Sequence, residues 1–222
     1  MRGTLGHTRP VNSSKKPKLR GWIHQEAFFL SLGACLVMLT QTKDGTAFVA
    51  SLVYSFSLLF LFAISAIYHR PHWAPKPRAL LKRFDHCAIF ILIAGTFTPV
   101  CLLGLSKESG EHLLLVVWSA ALIGVAQSIF WVKAPKWFNG VLYVFVGWLL
   151  LPYISEVQQS LGLNNVLLLV AGGVAYTVGA VFYVLKKPNF RAGVFGYHEL
   201  FHVLTVIGAG LHFIVVYRLV AR

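Results

Sequence analysis

The string GYHELFH, residues 196–202, sets His198 and His202 four positions apart with Glu199 between them. On a helix that spacing puts both imidazoles on one face, about 6 Å apart along the axis. Two such rings can bind one metal ion, and in soluble zinc peptidases the glutamate of His-Glu-x-x-His serves as general base. A chain with nine histidines forms this pattern by chance often enough that it needs support from elsewhere. Two other strings offer polar groups of the right kind. SAIYHR carries Ser65 and His69, again four apart, and RFDHCA carries Asp85 and His86.

The elements that must position these groups are membrane spans. Hydrophobic residues make up 57% of the 222 and charged residues only 12%, a balance that excludes a soluble globule. A bilayer core about 30 Å thick needs roughly 20 apolar residues in a helix. Seven stretches qualify: Ala27 to Thr42, Thr46 to Tyr68, His86 to Leu105, Leu113 to Val132, Phe138 to Ile154, Val166 to Leu185, and Val194 to Tyr217. The fold class is therefore all-α and polytopic, with a basic arm over residues 1–22 and one seven-helix domain over 23–222. That arm lacks the apolar core of a signal peptide and reads as disordered. With the N-terminus cytoplasmic, sixteen of the twenty Lys and Arg fall on inside segments and four outside, so the positive-inside rule places the C-terminus outside. The net charge of +13 then reflects topology, and no nucleic-acid partner is expected. Membrane lipids are the expected surroundings, in a plasma or inner membrane, and no protein partner is inferable. Cys35, Cys87 and Cys101, odd in number and set in apolar runs, read as buried thiols. Ala171, Ala175 and Gly179 offer a small-residue face for close packing of the sixth span, and Pro99 should bend the third.

Orientation gives the polar groups a common depth. The second span ends inside while the third and seventh begin there, so Ser65, His69, Asp85, His198 and His202 all lie toward the cytoplasmic leaflet. Ionisable groups in such positions cost roughly 2.5–3.5 kcal/mol on insertion scales and need a role. His69, His198 and His202 together would bind one ion and leave a tetrahedral position open. That is the arrangement of catalytic zinc, which acidifies water and polarises a carbonyl. Asp85 is the carboxylate placed to hold that water and shuttle its proton, and Ser65 to donate a hydrogen bond to a ligand or its supports. Asp85 at a helix start could equally serve the helix macrodipole. His86 reads as interfacial and His212 as polar packing. His7, His24, His72 and His112 read as solvent or headgroup residues.

SAIYHR, RFDHCAIFILIAGTFTPV and GYHELFHVLTVIGAGLHF, in order between about Ser51 and Tyr217, resemble the hemolysin III family. That family is grouped with progestin and adiponectin receptors and alkaline ceramidases in a proposed superfamily of membrane hydrolases. The resemblance implies seven helices with a cytoplasmic N-terminus and a zinc site of His69, His198 and His202. It assigns the water-holding aspartate to Asp85 and the family serine to Ser65. It moves the catalytic carboxylate away from Glu199, which would face a neighbour or the headgroups. Members often carry a Glu-, Asn- and His-containing patch entering the first helix, which GWIHQEAFFL matches poorly.

The leading expectation is a zinc-dependent hydrolase of a lipid amide acting on a lipid-like substrate. The alternatives are a receptor or signalling protein braced by a structural zinc, and a membrane-lytic protein, for which seven apolar spans offer no obvious polar stripe.

Overall fold

A computed structural model of the protein describes residues 16–191 and 193–222. Most of the basic arm, including His7, lies outside the described residues. The helices are α1 (Trp22–Thr40), α2 (Gly45–His69), α3 (Pro75–Gly104), α4 (Lys107–Phe130), α5 (Lys136–Gly147), α6 (Ile154–Leu161), α7 (Leu163–Leu185) and α8 (Tyr197–Val220). Seven segments are long and apolar enough to cross a membrane, because α5 and α6, joined through a 3₁₀ turn at Leu151–Tyr153, form one span. Backbone groups buried in hydrocarbon must bond within their own segment, which is why nearly every described residue outside the short connections is helical. The exception is an isolated antiparallel bridge between Arg191 and Phe195. The chain is a multi-pass integral membrane protein.

Local chemistry sets several helix starts. Asp44 caps α2 by accepting from the Ala47 N–H at 2.8 Å, and Pro75 opens α3, where a missing N–H costs nothing. The α3 start overturns one reading of Asp85. The helix begins well before the expected His86, so Asp85 sits about three turns inside it, beyond the reach of the N-terminal dipole. The charged run from Lys76 to Arg83 hid this first part of α3 from a hydropathy argument. Likewise α1 starts at Trp22 instead of Ala27.

The most buried span is α3, which packs against α2, α4 and α8. Helices α7 and α8 pack closely along their length. There Gly208 lies 3.0 Å, measured from the position a Cβ would take, from the Gly172 carbonyl oxygen, and Gly172 faces the His212 ring. The close-packing face of α7 is thus Gly172, Tyr176 and Gly179; Ala171, which was expected to share it, is exposed. All three cysteines are free and buried, as their apolar settings implied.

Candidate metal centre

One end of the bundle holds the loops 70–74, 131–135 and 186–196 together with residues 16–21. Just below it, the last turn of α2 and the first turns of α8 bring His69, His198 and His202 together. One nitrogen from each ring lies within 4.8 Å of the others, and all three side chains are buried. The Nε2 atoms of His69 and His198 are 3.2 Å apart. Two nitrogens held about 2.0–2.1 Å from one tetrahedral ion would be separated by about 3.3 Å, so the donor set and this spacing both fit a metal ion. The group could hold a metal.

Asp85 Oδ2 lies 3.6 Å from the same Nε2 of His69. The carboxylate therefore approaches the cluster on the side where the ring nitrogens converge, instead of backing a ring from behind. Ser65, one turn before His69 and 3% exposed, lines the same small cavity of about 50 Å³, as do Asp85, His86 and Asn139. His86 stays out of the cluster and shares its Nδ1 with the Asn139 amide at 3.3 Å. Tyr183 packs against His198 with ring centres 5.5 Å apart and carries the Lys136 ammonium 4.1 Å over its face, which closes the α7 side with apolar surface. A second cavity, about 90 Å³, adjoins the first through shared walls at Leu61, Ile89, Tyr143, Ala180, Phe201 and Thr205. It runs on to Trp148, Tyr176 and His212. His212 is held there by the Leu169 carbonyl at 2.9 Å, the packing role its sequence position implied.

Glu199 is 1% exposed, yet it does not line the cavity. One carboxylate oxygen takes the Arg20 guanidinium and the other accepts the Gly196 N–H at 2.9 Å, which caps the start of α8. Glu199 thus faces a neighbouring segment. That segment is tied down along its length. The Lys16 ammonium donates to the Arg70 and Pro71 carbonyls at 3.1 and 3.2 Å, and the Lys18 N–H donates to the Gly193 carbonyl at 3.0 Å. Burial, together with Arg20, Arg78 and Arg70 nearby, holds Lys16 below the usual lysine range. Gly21, at φ +81°, turns the chain so close to α2 that a Cβ there would meet the His69 Cβ at 2.9 Å.

The histidine that sequence reasoning misplaced is His24. It is neither a solvent nor a headgroup residue: it is 2% exposed and stacks flat on His202, ring centres 3.8 Å apart and planes 7° from parallel. His72 and His112 are exposed, as expected. The depth argument that joined His69 to His198 would have found His24 as well, had the first span been started at Trp22.

Three comparisons bear on the whole chain. A family model described as Haemolysin-III related matches residues 12–213. Hemolysin-3 of Bacillus cereus is 32% identical over 209 residues, 93% of this chain and 92% of that protein. A Hemolysin-3 homolog of Bacillus subtilis (strain 168) is 34% identical over 194 residues, 86% of this chain and 87% of that protein. A shorter match, 46% over 52 residues, links 21% of the chain to 23% of the heptahelical transmembrane protein ADIPOR2 of Oryza sativa subsp. japonica.

Proposed function

The chain belongs to the haemolysin-III-related family, and from that premise we propose that it is a zinc-dependent hydrolase of an amide carried by a membrane lipid. The observation that carries the reading is the convergence of three buried imidazoles with the Asp85 carboxylate on their open side. His69, His198 and His202 would hold the ion. When bound, zinc supplies Lewis acidity, drawing electrons from a carbonyl oxygen and acidifying water.

The chain's own groups do the rest. Asp85 Oδ2 accepts a proton from the water that adds to the amide carbon and delivers it to the nitrogen as the C–N bond breaks, yielding a carboxylic acid and an amine. The Ser65 hydroxyl donates a hydrogen bond to the carbonyl-bearing group or to Asp85. The adjoining cavity, walled by Leu61, Ile89, Phe201 and Tyr176, supports a lipid-like substrate because it offers an acyl chain an apolar wall next to the site.

Purified protein loaded with zinc should release fatty acid from acylated sphingoid bases, ethanolamines or amino acids. Asp85→Asn should bind zinc yet release none. Inactivity of zinc-loaded wild-type protein across that panel would overturn the hydrolase and leave the metal as a brace between α2 and α8.

The word hemolysin in the relatives' names favours a second reading, membrane lysis. Its test is dye leakage from liposomes at low protein-to-lipid ratio; the proposal expects none.

A further inference from the structure

His24 is an awkward residue to bury. A neutral imidazole carries one N–H donor and one acceptor nitrogen, and each needs a partner away from water. Neither nitrogen of His24 has a hydrogen-bond partner among the described residues. Phe62 lies against it with ring centres 5.2 Å apart, and the His202 ring stacks on its face. A residue needed merely to fill space would be better served by phenylalanine or leucine.

His24 does line the cavity shared by Ser65 and Asp85. That cavity, at about 50 Å³, exceeds the roughly 10–15 Å³ that one water requires. The cavity has room for a molecule that would supply the missing partner.

His24 is also a poor fourth ligand. Imidazole lone pairs lie in the ring plane, so an ion in the plane of His202 lies outside the parallel plane of His24. In keeping with this, His24 is not one of the three residues whose nitrogens converge.

Resting on the metal reading of His69, His198 and His202, we infer that His24 is a positioning residue of the centre. Its ring fixes the plane of His202 by stacking, and a ring nitrogen hydrogen-bonds the water or carbonyl group held beside the ion. The first helix thereby contributes to a centre whose ligands come only from α2 and α8. Outer partners of this kind change metal affinity by about 10–100-fold.

Cobalt(II), whose absorption reports the ligand field, is the probe. Full-length wild-type protein, His24→Phe and His24→Gln are purified in detergent, checked for folding by circular dichroism, and titrated with cobalt. Phenylalanine keeps a stacked ring without nitrogens, and glutamine restores a hydrogen-bonding group without the ring. The expected result is one bound equivalent in each. His24→Phe should show a shifted visible spectrum and at least about 10-fold weaker binding, and His24→Gln should bring the spectrum part of the way back. A His24→Phe spectrum and affinity matching wild type would overturn the inference, since a packing role requires only the ring. So would His24→Gln behaving no better than His24→Phe. Wild-type protein that binds no cobalt would overturn the metal reading itself, a distinct outcome seen before any variant is compared.

Discussion

Both oxygens of the Glu199 carboxylate are engaged away from the cavity, one by Arg20 and one by the Gly196 N–H. Removing a buried, doubly bonded carboxylate leaves a guanidinium and an amide without their acceptor. Glu199→Ala should therefore lower stability by about 2–3 kcal/mol, and Glu199→Gln, which keeps one acceptor, by about 1 kcal/mol. Reversible unfolding in mixed micelles would measure both, and metal content at saturating zinc should stay unchanged. Were Glu199 the general base of a peptidase-like helix, Glu199→Gln would abolish hydrolysis without touching stability. The cluster was legible at this scale because i, i+4 spacing and shared depth are properties of sequence and topology. The fate of Glu199 was not, since its partner Arg20 is 179 positions away and only the turn at Gly21 brings it near.

Helices were easier to count than to delimit. Hydropathy sees where lipid begins, whereas α3 carries Lys76, Arg78, Lys82 and Arg83 on turns that extend past the apolar core, so its true start was invisible and Asp85 was credited with a terminal position. The fifth span reads as one apolar run, yet helix α5 ends at Gly147 and a 3₁₀ turn containing Pro152 intervenes before α6. A proline there removes an N–H that the regular ladder would need. Packing detail was less legible still: the α7 contact face keeps Gly179 but uses Gly172 and Tyr176 instead of Ala171 and Ala175, with Gly172 against the ring of His212. Gly172→Val should overfill that contact and destabilise the protein by about 1–3 kcal/mol. Gly33→Ala, where nothing lies within 4 Å, should be neutral or stabilising by up to about 1 kcal/mol. The same micelle unfolding assay compares the two, and equal effects would refute the close α7–α8 contact.

Across the whole molecule the charges sort by end. Lys16, Arg20, Arg70, Lys82, Lys136 and Lys186 belong to the end near the histidines, while Lys43, Lys107 and Arg222 mark the other. By the positive-inside rule we propose that the histidine end faces the cytoplasm. In a bacterial host, alkaline phosphatase fused after Arg222 should be active and the same enzyme fused after Pro135 inactive; the reverse pattern would invert the topology. The chain order of the cluster has a consequence for biogenesis. His69 enters the membrane with the second span, but its partner His198 arrives 129 residues later, with the last. At about 5–20 residues per second of synthesis, His69 waits on the order of ten seconds for that partner. No ribosome-bound fragment lacking α8 can assemble the three-histidine group, so an ion held there would certify that α8 has been inserted.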